Sequence, residues 1–263
     1  MGSTSLLRVF VFGFVVFLGL GACQQALAQE EPAEDPVTRA LGVAQEKLAS
    51  WQTEEAKKAL APIKDKVKTN PSVALAWGQV LVQEKKYADA AKLLKEAAKT
   101  APKDPAIQVS LGEVYQLANN SSEATKAFGK AKELAAEALK KDEGDIAARL
   151  QLARAQQGLK ELDQAAANLE KLVQEGQGAD PMVLYHLGVT LLLQKKWQQA
   201  FDALDKALEI NKGLAYGYYY RGLAAEKLGR KDVLVNDMSR FLHLAPKAPE
   251  ASRAEAILAA VKR

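Results

Sequence analysis

The feature that most constrains the fold of this chain is an internal period of 34 residues. The clearest copy begins at Leu111-Gly112-x-x-Tyr115 and continues with Ala124, Phe128 and Ala131. The same alternation of small and large residues recurs before and after this copy. The six copies are anchored at Ala44, Gly78, Gly112, Ala153, Gly188 and Gly222. One copy is too short to bury its own apolar stripe, so the copies must pack side by side.

The spacing L-G-x-x-Y followed by A-x-x-x-F-x-x-A resembles the tetratricopeptide repeat, in which each copy is a pair of antiparallel helices. The composition favours helix, with 48% hydrophobic residues and only nine prolines. The resemblance implies an all-α, right-handed superhelical solenoid of about six helix pairs, with a concave face lined by the first helix of each pair. The predicted pairs span residues 37–70, 71–104, 105–145, 146–180, 181–214 and 215–247, and a capping helix covers 248–263.

Two details of the repeat predict local structure. The glycines of the strongest copies allow the two helices of a pair to approach closely; they are Gly78, Gly112, Gly188 and Gly222. Between the third and fourth copies the step is about two helical turns longer than 34 residues, and Glu133–Lys141 has a strongly helical composition. We therefore expect the second helix of the third pair to be lengthened.

The N-terminal residues have the pattern of an export signal. Arg8 precedes an uncharged apolar run, Val9–Ala22, which is short for a membrane span of roughly 20 residues. We therefore predict a signal peptide at residues 1–22, followed by an acidic and flexible tether at residues 23–36. The expected location is the periplasm.

Cys23 is the only cysteine and stands directly after the apolar run. Leu20–Cys23 resembles a bacterial lipobox, which implies lipidation of Cys23 and, because Gln24 is not aspartate, attachment to the outer membrane. The alternative is cleavage after Ala28, at an A-x-A site, which would release a soluble protein. Both interpretations place the repeats outside the cytoplasm.

Charge and motifs argue against several functions. Without residues 1–22 the chain has 35 basic and 32 acidic residues, and the signs alternate along it, so we expect no nucleic-acid partner. His186 and His243 lie on different repeats without metal-ligand spacing, and no nucleophile or phosphate-binding motif occurs. We therefore predict a protein that is not an enzyme and has no metal, cofactor or small-molecule substrate.

Helical spacing identifies the residues that point into the concavity. In the first four repeats these are amide-rich and nearly neutral: Thr38, Leu41, Gln45, Leu75, Gln79, Gln83, Val109, Glu113, Gln116, Leu150, Arg154 and Gln157. In the last two repeats they form an apolar, tyrosine-rich patch, the predicted partner-binding groove: Met182, Tyr185, Val189, Leu192, Leu193, Tyr216, Tyr219 and Leu223. Two alternatives remain open: a register shift by one residue would place several of them in the core, or the C-terminal helix covers them.

The resulting hypothesis is a scaffold in the bacterial cell envelope that binds a segment of a partner protein in its groove and is anchored to the membrane through Cys23. One alternative is a structural subunit that self-assembles through the tyrosine-rich patch. Another is an assembly factor, since the layout is similar to that of pilotin lipoproteins of type IV pili. No residue pattern selects among these partners.

Overall fold

A computed structural model of the protein describes residues 35–176, 178 and 180–261, and every regular element in these residues is helical. The predicted signal peptide, its alternative cleavage site after Ala28, Cys23 and the tether up to residue 34 lie outside the described residues. The helices are α1 (Pro36–Ala49), α2 (Thr53–Leu60), α3 (Pro71–Gln83), α4 (Tyr87–Thr100), α5 (Pro105–Leu117), α6 (Ser121–Lys141), α7 (Ile146–Gly158), α8 (Leu162–Gln174), α9 (Pro181–Leu193), α10 (Trp197–Ile210), α11 (Ala215–Lys227), α12 (Lys231–Leu244) and α13 (Ala251–Val261).

The first helix of a pair begins with a side-chain cap in five of the six pairs. In α3 the Asn70 side chain accepts hydrogen bonds from the backbone N–H groups of Ser72 and Val73, at 3.0 and 3.2 Å. Asp35, Asp104, Asp145 and Asp180 accept in the same way at the starts of α1, α5, α7 and α9. Proline follows the cap in α1, α3, α5 and α9, where its missing N–H is not needed.

The turn inside each pair contains one residue in the left-handed region, which ends the first helix and reverses the chain. These residues are Trp51, Lys85, Asn119, Lys160, Lys195 and Gly229, with φ between +56° and +73°. They occupy the same position of the repeat, because each aligns with the next in the register of the six copies.

The helices form six antiparallel pairs, α1/α2 to α11/α12, and the first helices of neighbouring pairs also pack on one another. The predicted close approach at glycine is confirmed. A Cβ built on Gly188 would lie 2.5 Å from Leu204 Cγ, and one built on Gly112 or Gly158 would lie 2.6 Å from the Phe128 ring. The predicted fold class, an all-α superhelical solenoid of helix pairs with a C-terminal helix, is confirmed.

Three elements depart from a regular repeat. Helix α6 has 21 residues, whereas its neighbours α5 and α7 have 13 each, so the predicted lengthening is confirmed. In the first pair, α2 is continued by a 3-10 helix at Ala61–Lys68, because Pro62 cannot donate the hydrogen bond that a continuing α-helix needs. Helix α13 packs on the last pair through Ile257, Leu258 and Val261.

Within the described residues, no helix has both the length and the apolar character that spanning a bilayer requires.

Candidate binding cleft on the inner surface

A concave cleft of about 430 Å³ runs across the first helices of the last four pairs. Its lining includes seven positions predicted to face inward: Glu113, Gln116, Arg154, Gln157, Tyr185, Val189 and Leu193. Helices α5, α7, α9 and α11 each contribute side chains, so the cleft depends on the stacking of four pairs. The seven predicted positions are just over half of the thirteen residues that line the cleft.

One part of the cleft, here called the polar half, consists of Glu113, Gln116, Arg154 and Gln157. An Arg154 guanidinium nitrogen lies 2.7 Å from Glu113 Oε1, and Arg154 also donates to Gln151 Oε1 at 3.0 Å. The Gln157 amide donates to Thr190 Oγ1 at 3.2 Å. The Glu113–Arg154 and Gln157–Thr190 bonds thus link neighbouring pairs across this half.

The other part, the tyrosine half, consists of Tyr185, His186, Val189, Leu193 and Tyr220. The rings of Tyr185 and Tyr220 lie 6.0 Å apart, although they belong to different pairs. Leu193 is 49% exposed, which is high for a large apolar side chain on a concave surface. This half offers aromatic and aliphatic area that the protein itself leaves partly uncovered.

The ionisable groups of the tyrosine half are held neutral by their surroundings. Burial raises the pKa of the Tyr185 and Tyr220 hydroxyls above the ordinary tyrosine value. Burial also lowers the pKa of His186 well below its ordinary value, and the positive charge of Arg154 lowers it further. At neutral pH this half therefore presents hydrogen-bonding groups without a net charge.

One predicted groove residue is misplaced, because Tyr219 is only 2% exposed and belongs to the core of the last pair. Its ring packs against Phe241 at 5.0 Å, and Ala254 of α13 lies in the same cluster. The C-terminal helix covers the end of the last pair, and this cover buries Tyr219. The prediction that Tyr219 faces the groove is therefore wrong.

The other predicted residues of the patch divide between the cleft and its margins. Tyr185, Val189 and Leu193 line the cleft. Met182 is 39% exposed outside the lining, whereas Leu192 and Leu223 pack partly buried against core clusters. The Tyr216 hydroxyl donates a hydrogen bond to the carboxylate of Glu250, just before α13, and this bond fixes the Tyr216 ring next to Tyr220.

Two residues predicted to face inward from the N-terminal repeats are buried. The Gln83 amide donates to the Leu48 carbonyl at 2.7 Å and accepts from the Thr53 hydroxyl at 2.7 Å, so it joins the second pair to the first. Val109 is fully buried in a cluster with Phe128. Both sit where one pair meets its neighbour, and a rule based on one isolated helix cannot detect that contact.

Six residues that line the cleft were not among the predicted inward-facing residues: Phe128, Gly158, Lys160, Leu162, His186 and Tyr220. Among them, His186 and Tyr220 stand directly beside predicted positions. Each follows a position that was chosen, Tyr185 or Tyr219, by one residue. The inner stripe of a helix is wider than a single row, since adjacent residues are separated by only about 100° around the axis. If the prediction had also taken the residue after each chosen position, it would have included His186 and Tyr220.

Comparisons with known proteins identify the repeats. Models of the tetratricopeptide repeat match residues 81–130 and 150–215. The search of curated proteins returns no significant match. The crystal structure of the APC/C hetero-tetramer Cut9-Hcn1 is similar over 84% of this chain and 45% of that chain, with 18% identity and a TM-score of 0.56. A thermophilic tetratricopeptide protein of Thermus thermophilus is similar over 73% of this chain and 99% of that chain, with 17% identity and a TM-score of 0.54.

These likenesses establish a superhelical tetratricopeptide fold, and the chain spans less than half the length of the Cut9-Hcn1 chain that it matches. Tetratricopeptide repeats generally mediate protein–protein interactions. Their scaffold is typically non-catalytic.

Proposed function

We propose that the protein is a non-catalytic adaptor that binds a segment of a partner protein in the cleft on its inner surface. The observation that carries this proposal is the cleft itself, which is lined by helices of the last four pairs and whose tyrosine half leaves apolar area uncovered. Tyrosine and other large amphipathic side chains are enriched where proteins bind one another. Tetratricopeptide domains also bind protein partners in general.

The two halves of the cleft suggest what the segment looks like. Large apolar side chains of the partner would cover Leu193 and the rings of Tyr185 and Tyr220. Amide side chains such as Gln116 and Gln157 would bond polar groups of the segment, since they can both donate and accept. The partner is therefore an extended or helical segment with an apolar end and a polar end.

We further propose that the adaptor works in the cell envelope, anchored by a lipid on Cys23. Arg8 and the apolar run Val9–Ala22 support export, and the position of the only cysteine directly after that run supports lipidation. The same layout is typical of pilotin lipoproteins, so outer-membrane assembly complexes are the first place to look for the partner.

The anchor is tested by feeding producing cells an alkyne analogue of palmitate and examining the purified protein. The native chain should incorporate the label and begin at Cys23, whereas Cys23→Ser should remain unlabelled. Mass spectrometry of the N-terminus distinguishes the alternative, because an unlabelled native chain beginning at Gln29 would contradict the anchor and leave export intact.

Binding in the cleft is tested with two variants of matched exposure. Leu193 and Ile210 are both 49% exposed, but only Leu193 lines the cleft. Leu193→Glu places a charge in the tyrosine half and should reduce capture of a partner from envelope extract by at least about tenfold, the equivalent of 1.4 kcal/mol. Ile210→Glu should leave capture unchanged. Equal behaviour of the two variants would contradict a role for the cleft.

A further inference from the structure

The turn of the first helix pair lies against the fifth and sixth pairs. Ala49 packs on a cluster that contains Leu184, Leu208 and Leu214. A Cβ built on Gly213 would lie 3.6 Å from the Cβ of Ser50. The Trp51 ring lies 6.0 Å from the Tyr216 ring, also between the first and sixth pairs. The solenoid is thus closed into a ring by its own first turn.

Trp51 is an exception at its position of the repeat. The equivalent residues of the other five pairs are Lys85, Asn119, Lys160, Lys195 and Gly229, all polar or glycine. Trp51 has a φ of +56°, in the left-handed region that bulky side chains rarely adopt. A tryptophan is not needed to make this turn, because five other residues make it, so contact with the sixth pair is what distinguishes it.

The contact between the first turn and the last pairs is made by apolar surface. Within the part of the chain that the structure describes, no hydrogen bond or ion pair joins Ala49–Trp51 to the fifth or sixth pair. Trp51 itself remains partly exposed. A small contact without polar bonds, made by a residue with backbone strain, can open while the rest of the solenoid stays folded.

Tyr216 connects this contact to the cleft. Its ring lies 6.1 Å from that of Tyr220, which lines the tyrosine half. The Trp51 ring lies on the same Tyr216 ring. Whatever covers Tyr216 therefore borders the C-terminal end of the cleft.

We infer that the Trp51 turn is an intramolecular latch, which closes the solenoid on Tyr216 and must open before a partner can place a large apolar side chain there. The part of this inference that concerns the partner rests on the proposed function. The latch does not, because it is a contact within the chain. In the closed state Trp51 covers Tyr216. A partner residue that competes for the Tyr216 surface would be aromatic or similarly large and apolar.

The latch is tested by a distance measurement without any partner. In the full chain with Cys23→Ser, spin labels are attached at Glu54→Cys and Lys212→Cys, two exposed positions on either side of the contact. With Trp51 present, pulsed electron paramagnetic resonance should give a short and narrow distance distribution. Trp51→Gly and Trp51→Asn should shift it to longer and broader distances, because glycine and asparagine keep the turn but remove the ring.

Lys85→Gly, at the equivalent turn of the second pair, is the matched control and should leave the distances unchanged. A native distribution in both Trp51 variants would overturn the latch. Loss of helix content in both, measured by circular dichroism, would also overturn it, since Trp51 would then be needed for folding. Partner capture by Leu193→Glu is measured separately, so a failed latch leaves the adaptor proposal standing and a failed adaptor leaves the latch standing.

Discussion

The two halves of the cleft use the same position of the repeat in different ways. The residue that follows the anchoring glycine or alanine is Glu113 in the third pair and Arg154 in the fourth, and these two bond each other. At the same position the fifth pair carries Val189 and the sixth carries Leu223. At this position the third and fourth pairs thus form an ion pair with each other, whereas the last two pairs carry aliphatic side chains.

This difference indicates where binding energy and specificity arise. Contacts to the polar half exchange existing hydrogen bonds for new ones, with a small net gain. Contacts to the tyrosine half remove aromatic and aliphatic area from water, which contributes more to the free energy of binding. We therefore expect the tyrosine half to set the affinity and the polar half to set the orientation of a bound segment.

The largest effect should separate two adjacent tyrosines. Tyr219→Ala should lower the free energy of unfolding by about 3–5 kcal/mol, because it leaves a cavity in the core against Phe241. Tyr220→Ala, on the cleft wall, should cost roughly 1–2 kcal/mol and mainly weaken binding. Urea unfolding followed by circular dichroism measures the loss of unfolding free energy in each variant. Equal losses would mean that the cleft wall and the core are not distinct.

The next effect tests whether the polar half and the tyrosine half of the cleft depend on the same close packing of helices. Gly112→Ala and Gly188→Ala should each destabilise the fold by about 1–3 kcal/mol, because the added Cβ meets Phe128 in one case and Leu204 in the other.

The matched control for these glycines is Gly129→Ala, on α6, where an added Cβ has no neighbour within 4 Å. It should stabilise by up to about 1 kcal/mol. Thermal unfolding of the three variants measures these differences. If Gly112→Ala lowered the stability and Gly188→Ala did not, the two halves of the cleft would differ in helix packing as well as in their lining residues.

The tyrosine half should make the stability of the fold depend on pH through His186. Because the pKa of His186 is lower in the folded chain, the unfolded chain binds a proton first as the pH falls below about 6.5. Stability from this group is present above that pH and lost below it, by up to about 1.4 kcal/mol per pH unit. His186→Gln should flatten the curve of unfolding free energy against pH between 6.5 and 5. A native slope in His186→Gln would refute the assignment.

The smallest effect belongs to the polar half. Glu113 is 44% exposed, so its pair with Arg154 should contribute at most about 1 kcal/mol to stability. A double-mutant cycle with Glu113→Gln and Arg154→Gln should give a coupling energy below that value, and it should decrease as salt is raised. A larger coupling that is insensitive to salt would show that this half is as protected from solvent as the core.

The sequence predicts the architecture because packing spacing is local and is repeated six times. Gly112 and Gly188 were identified from spacing alone, and both lie against the partner helix as expected. The lengthened α6 also followed from the register of the copies. Errors in any one copy are corrected by the others, which is the advantage of a repeat.

The sequence predicts the cleft less completely, because the missing information is long-range. Tyr219 is buried by α13, and Gln83 is bonded to the neighbouring pair, and a single helix shows neither contact. Trp51 could have been noticed, since it stands where the other copies carry lysine, asparagine or glycine. The identity of its contact, Tyr216, depends on the curvature of the whole solenoid.

The most direct test of the central claim, that the inner cleft is the partner-binding surface, is photo-crosslinking in the cells that produce the protein. Benzoylphenylalanine is placed at Gln116 in the polar half, at Leu193 in the tyrosine half, and at Leu117, which is exposed beside Gln116 but does not line the cleft. The account predicts that Gln116 and Leu193 crosslink the same partner and that Leu117 does not. Crosslinking from Leu117 alone, or equally from all three positions, would contradict it.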